Sequence, residues 1–186
     1  MDVLFLCTGN ICRSPMAEVL LRQRLGDLGI DARVASAGLL QPGNPASAHG
    51  VDILRGRGLD MTTHRSRRIS RDILAQADLI LGMAREHVRE AVVIDAALWP
   101  RTFTLKELVR RGEAAGPRAG GESLQDWLAR VGHGRRVADL MGSSSLDDIA
   151  DPIGGPRSAY ERLAAELDDL LDRLVKVAFA EAMAPR

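Results

Sequence analysis

Aromatic side chains are scarce in this chain: three phenylalanines, two tryptophans and one tyrosine make up 3% of its 186 residues. Stacking partners for a flat ligand are correspondingly few. Cysteine is scarcer still. The two present, Cys7 and Cys12, stand five residues apart and make neither a disulfide framework nor a zinc site. An excess of one charge is missing too, since Lys plus Arg and Asp plus Glu number 25 each, so nothing calls for a nucleic-acid or membrane partner. Arginine far outnumbers lysine, which reads as compositional bias. No apolar run approaches the ~20 residues that span a bilayer, and Met1-Asp2 followed by a short apolar run is no signal peptide. These absences lead to the expectation of a cytoplasmic protein without metal or cofactor. What is there, 46% hydrophobic and 27% charged residues, suffices for one soluble domain with a good core.

The informative stretch is Cys7-Thr8-Gly9-Asn10-Ile11-Cys12-Arg13-Ser14-Pro15. Val3-Leu4-Phe5-Leu6 runs into it without alternation and reads as a strand buried on both faces. Pro15 suits a first helical position, where its missing N–H costs nothing. Strand, tight loop and helix in that order gather backbone N–H groups at a helix N-terminus, a place where phosphate binds. The Gly-Lys-Ser/Thr ending of a nucleotide-binding loop is absent. Instead the loop opens with a thiol and closes with a guanidinium. A cysteine at a helix N-terminus beside an arginine is expected as the thiolate, the reactive form. The arginine offers a planar fork matched to two phosphate oxygens. Together they describe a nucleophile aimed at a bound phosphoryl group.

The full string from Val3 to Glu18, VLFLCTGNICRSPMAE, resembles the active-site loop of the low-molecular-weight protein tyrosine phosphatases, a bacterial branch of them in particular. The resemblance implies Cys7 as nucleophile, Arg13 as phosphate clamp and Thr8, Gly9, Asn10, Ile11, Cys12 and Ser14 as the phosphate-binding loop. It also implies an acid in an Asp-Pro loop ahead of the last helix, where Asp151-Pro152 stands. Ser14, Ser36 and His64 align with residues that support Asn10 or the nucleophile, although His64 also fits an ordinary surface histidine. Cys12 has two readings as well. In the family a second loop cysteine protects the nucleophile from over-oxidation; otherwise it is a small core residue. His49, His87 and His133 have no spacing that argues for a role.

Along the chain, a first helix is expected from Pro15 to Leu28, with Ala17, Leu21, Leu25 and Leu28 as its buried stripe and Gly29 at its end. Strands follow at Ala32–Ala37, Asp78–Met83 and Thr102–Phe103, and helices at Ala46–Arg57, Ala84–Val92 and Lys106–Arg111. Ser70 reads as the N-cap of a short helix. Gly112–Gly121 has a flexible loop's composition, and Leu124–Met141 reads as one or two helices around Trp127, Leu128, Val131 and Leu140. The last helix carries Leu163, Leu167, Leu170, Leu174 and Val177 at helical spacing, with acidic residues opposite. Alternating strand and helix imply an α/β fold with a mostly parallel sheet covered on both faces. The resemblance adds that this is a single domain over residues 1–186, a three-layer sandwich around four strands.

Three departures bear on function. Eukaryotic-type members of the family carry a tryptophan after the second strand and a tyrosine directly after Asp-Pro; here Leu39-Leu40-Gln41-Pro42 and Ile153 occupy those places. Asp-Pro-x-Gly-Gly followed by Tyr160 is similar to a branch that includes protein-arginine phosphatases, whose arginine-specific members have threonine where this chain has Ile11. Residues of about 110–149 fall outside the resemblance as an insertion just before the acid loop. That insertion is either a lid or partner-selecting element, or a solvated excursion. The expected activity is metal-independent hydrolysis of phosphotyrosine in proteins through a cysteinyl-phosphate, by a monomer or weak homodimer. Its rivals are a protein-arginine phosphatase with the same machinery, an arsenate reductase of the same fold using an external thiol, and a non-enzymatic phosphate-binding module.

Overall fold

The computed structural model describes residues 1–179. Its centre is β1 (Asp2–Cys7), flanked by β2 (Arg33–Gly38) and β3 (Leu79–Gly82), with β4 (Thr102–Thr104) beyond β3. All neighbouring strands pair in parallel, in the order β2-β1-β3-β4. The unalternating apolar run of β1 follows from its place. Val3, Phe5 and Cys7 enter the core on one face while Leu4 and Leu6 enter a second core on the other, because successive strand residues point to opposite faces.

Helices cover both faces. On the larger core lie α1 (Arg13–Asp27) and, farther along the chain, α5 (Leu105–Ala115) and α7 (Arg157–Ala178), with α2 (Ala48–Arg55) packed on α7. The smaller core is closed by α3 (Arg71–Ala75), α4 (Arg85–Ile94) and a 3₁₀ turn at Ala96–Arg101, through Leu74, Ala91 and Leu98. The stripe expected on α7 is buried as predicted, and each such leucine contributes about 1.5–3 kcal/mol. The three-layer α/β arrangement is the expected one.

Local differences have local causes. Helix α1 starts at Arg13, so Pro15 is its third residue and not its first; the proline still falls among the first-turn positions that lack an intrahelical acceptor. The second helix, Ala48–Arg55, is shorter than the expected Ala46–Arg57: Ser47 caps it at one end, its N–H held by Ile11 O at 2.8 Å, and Gly56 at the other. Helix α5 continues through Gly112 to Ala115 where a loop was expected. A Cβ at Gly112 would lie 3.0 Å from the Trp127 ring and 3.1 Å from Val177, so this glycine is a packing site and not a helix breaker. Trp127, on α6 (Leu124–Val131), is 0% exposed and donates from its indole nitrogen to Gly116 O at 3.1 Å. Leu128, Val131, Leu140 and Ile149 are also buried. The stretch before the acid loop is therefore folded into the domain and is not a solvated excursion. No helix among the described residues is long and apolar enough to cross a membrane.

Candidate active site

The carboxyl end of β1 sets Cys7 at the start of the loop, and the first turn of α1 closes over it. The Cys7 sulfur accepts from the Asn10 N–H at 3.1 Å and lies 2.9 Å from Ser14 Oγ. Asn10 has φ of 52°, the only positive φ outside glycine among the described residues, a conformation that needs outside support. Its Oδ1 accepts from the Arg67 N–H at 2.8 Å, which fixes the amide's orientation. Its Nδ2 then donates to Ser14 Oγ at 3.0 Å and Ser36 Oγ at 2.8 Å. His64 Nε2 meets its carbonyl at 2.7 Å.

These bonds also determine proton directions. Ser36 Oγ donates onward to Glu18 Oε2 at 2.5 Å. Ser14 Oγ, already accepting from Asn10, has its own proton free for the Cys7 sulfur. Two donors therefore face the Cys7 sulfur at the N-terminus of α1. Gly38 completes the cradle: a Cβ there would sit 2.8 Å from Asn10 Cβ and 2.9 Å from Thr8 O.

Arg13 is 4% exposed. Its guanidinium donates to Ile149 O at 3.1 Å and Thr8 Oγ1 at 3.2 Å, and pairs with Asp151 Oδ2. Asp151 Oδ1 accepts from the Ile153 N–H at 3.1 Å. The segment leading to Asp151 is held tightly. Ile149 N donates to Met83 O at 2.8 Å, Asp148 accepts from Arg85 N at 2.8 Å, and Asp147 pairs with Arg85 at 2.6 Å and Arg110 at 2.8 Å. Burial works against the Asp147 charge, yet the two guanidiniums hold its carboxyl below the usual range. The segment adjoining Asp-Pro thus delivers the Ile149 carbonyl to Arg13.

His87, which no spacing singles out, is 0% exposed beneath the loop. Its Nδ1 accepts from the Ala84 N–H at 2.9 Å, which leaves the neutral ring's proton on Nε2, 3.0 Å from Thr8 Oγ1. Burial, reinforced by the Arg13 charge, pushes its pKa down from 6.5 to about 3. The unfolded chain therefore binds a proton at His87 that the folded protein refuses, and stability falls as pH drops through the unfolded value. Between pH 6.5 and 4.5 this one residue is expected to cost about 2 kcal/mol. Urea unfolding of wild type and His87→Gln at both pH values checks this: the wild type should lose more stability on acidification by that amount. Equal losses would contradict it.

The cleft above Cys7 is walled by Ile11, Leu40 and Ile153, with Arg13 and Asp151 on its polar side. Leu40 and Ile153 are 58% and 55% exposed, as residues at a cleft mouth are. Cys12 lies against the Tyr160 hydroxyl at 3.6 Å. Burial raises its pKa, and burial together with Cys12 lifts Tyr160 to about 12, so both keep their protons at neutral pH. Every residue singled out in the loop, together with Ser36, His64 and Asp151, meets in this one place. Glu18, His87 and Asp147 are additions. Only Glu18 lies within the motif string; the other two meet their partners 79 and 62 positions away.

The geometry suits a thiolate attacking a phosphoryl group held by Arg13 and the loop, with a carboxyl group at hand for proton transfer. Known proteins agree. The profile described as low molecular weight phosphotyrosine protein phosphatase matches residues 2–116. The protein-arginine-phosphatase of Bacillus subtilis (strain 168) is 29% identical over 177 residues, covering 95% of both chains. Low molecular weight protein-tyrosine phosphatase A of Mycobacterium tuberculosis is 32% identical over 180 residues, covering 94% of this chain and 89% of its own. The crystal structure of a low molecular weight protein tyrosine phosphatase from T. tengcongensis superposes with a TM-score of 0.72 at 33% identity, covering 95% of this chain and 98% of that one. With a match that runs through the whole loop and over more than half of its length, this chain belongs to the low molecular weight phosphotyrosine protein phosphatase family.

Proposed function

We propose that this protein hydrolyses phosphotyrosine in proteins through a phosphocysteine at Cys7, without metal. The observation that carries the reading is the convergence of the Cys7 sulfur, the Arg13 guanidinium and the Asp151 carboxyl on one cleft. In the first step the thiolate attacks phosphorus in line, forming the S–P bond as the P–O bond to the ring breaks. Asp151, entering as the acid, gives its proton to the departing phenolate. Arg13 and the loop amides carry the charge on the equatorial oxygens. A bound phosphoryl group competes with Asp151 for the same guanidinium nitrogen, so binding turns the carboxyl towards the leaving oxygen. In the second step Asp151 takes a proton from water, the water attacks phosphorus, and the thiolate leaves with Ser14 donating to it. Phosphate and tyrosine are the products.

Aliphatic walls at Ile11, Leu40 and Ile153 suit an aryl ring packed by apolar contact. A guanidino group would ask for acceptors, and among the described residues Asp151 is the one carboxylate lining the cleft. A second reading, phosphoarginine as substrate, is favoured by the full-length similarity to the Bacillus subtilis protein-arginine-phosphatase. Phosphate release from matched phosphotyrosine and phosphoarginine peptides decides between them. We expect kcat/KM to favour phosphotyrosine by about tenfold or more; a preference for phosphoarginine would overturn the assignment. Two free thiols, Cys7 and Cys12, support a reducing compartment such as the cytoplasm.

A further inference from the structure

Among the described residues one fully buried titratable group stands beside the phosphate loop with no part in the steps above: His87. Its surroundings form a closed set of hydrogen bonds. Thr8 Oγ1 accepts from Arg13 at 3.2 Å, lies 3.0 Å from His87 Nε2, and donates to Glu86 Oε1 at 3.1 Å. Glu86 Oε1 is itself 3.2 Å from His87 Nε2. A hydroxyl has one proton and two acceptor sites. With its proton on Glu86, both of its lone pairs are taken, one by His87 and one by Arg13. The direction of each bond is fixed from outside the group, because the Ala84 N–H occupies His87 Nδ1 and leaves only Nε2 to donate.

We propose that His87 is a positioning residue for phosphoryl transfer: it locks the Thr8 hydroxyl so that a lone pair faces Arg13 and fixes the plane of the guanidinium fork. The inference rests on the reading of Arg13 as the phosphate clamp. The neutral imidazole that the role requires is the form favoured by burial and by the Arg13 charge, which hold its pKa near 3. A protonated ring would face Arg13 with like charge and would lose the acceptor that receives the Ala84 N–H. Helix α4 begins at Arg85, so that acceptor also fastens the entry to this helix. His87 therefore has two functions on two nitrogens, and they can be separated. Asparagine places an amide oxygen near the position of Nδ1 and keeps the bond to Ala84. Glutamine reaches the position of Nε2 and keeps a donor for Thr8.

The test compares wild type, His87→Asn, His87→Gln and Thr8→Val in two assays: turnover of a phosphotyrosine peptide and calorimetric binding of inorganic phosphate. We expect His87→Asn to fold normally, lose about tenfold in kcat/KM and weaken phosphate binding. His87→Gln should recover most of that loss despite lower thermal stability. Adding His87→Asn to Thr8→Val should cost nothing further, since the hydroxyl through which His87 acts on Arg13 is then already gone. The proposal is overturned if His87→Asn matches wild type in both assays. It is equally overturned if glutamine is the worse of the two in turnover, which assigns His87 to helix entry alone, or if the two losses multiply. A wild-type protein that binds phosphate without turning over the peptide would sink the proposed activity, and phosphate affinity would still report on the clamp. One that does neither overturns both.

Discussion

Serine in place of Cys7 is expected to lower kcat by about 10⁴-fold or more while leaving inorganic phosphate bound. The change keeps the size of a side chain that is 2% exposed and leaves a hydrogen-bonding atom between the Asn10 N–H and Ser14. What it removes is the sulfur nucleophile of the proposed first step. A serine hydroxyl beside these donors stays protonated near neutral pH, attacks phosphorus slowly, and leaves poorly in the second step. Arg13, Thr8 and the loop amides are untouched, so the anion site persists. Steady-state phosphate release and a calorimetric phosphate titration read the two halves of the prediction. Residual turnover within tenfold of wild type would remove Cys7 from the mechanism. Loss of phosphate binding together with turnover would mean that the substitution had damaged the loop.

The second large effect is expected at Asp151, and it should depend on the substrate. Asn at this position keeps the acceptor for the Ile153 N–H and loses the transferable proton. Turnover of a phosphotyrosine peptide should fall about 10²–10³-fold. In kcat/KM, which reports the first step, an aryl phosphate whose leaving phenol is strongly acidic needs less help from an acid and should lose much less, while its kcat still falls because the water step lacks its base. Folding stability should change by about 1 kcal/mol or less, because the Asp151 side chain is 37% exposed and its ion pair is screened. Equal losses in kcat/KM on both substrates would mean that Asp151 orders the cleft without transferring a proton.

Much of this site is legible in the sequence because it is contiguous. Cys7 to Ser14 run from the last residue of β1 through one loop into the first turn of α1, and each residue type states its own requirement: apolar on both faces for β1, a tolerated left-handed conformation at Asn10, a fork at Arg13. Helix α7 is legible for the same reason, since its stripe is a local period. What joins distant segments is not. His64 reads equally well as a surface residue until the fold brings it to the Asn10 carbonyl, 54 positions away. His87 carries no local pattern, and its place follows only from the parallel pairing of β1 with β3, which sets α4 beside the loop. Asp147 sits in a polar stretch that reads as a loop, and the two arginines that define it lie on α4 and α5. Gly112 misleads in the opposite sense. Its lack of a side chain reads as a break, whereas the structure uses it to admit Trp127.

The central claim is that the phosphoryl group passes through the sulfur of Cys7. Acid quenching during the first turnovers, followed by mass analysis of the peptide holding Cys7, tests it directly. Asp151→Asn with an acidic phenol as leaving group is the best case, because the first step is then spared while the water step is slowed. The account predicts phosphate on Cys7, formed at the rate of phenol release and lost at the rate of phosphate release, and absent from Cys12. Turnover with no phosphorus on Cys7 at any time, or a water oxygen delivered to phosphate in a single step, would contradict it.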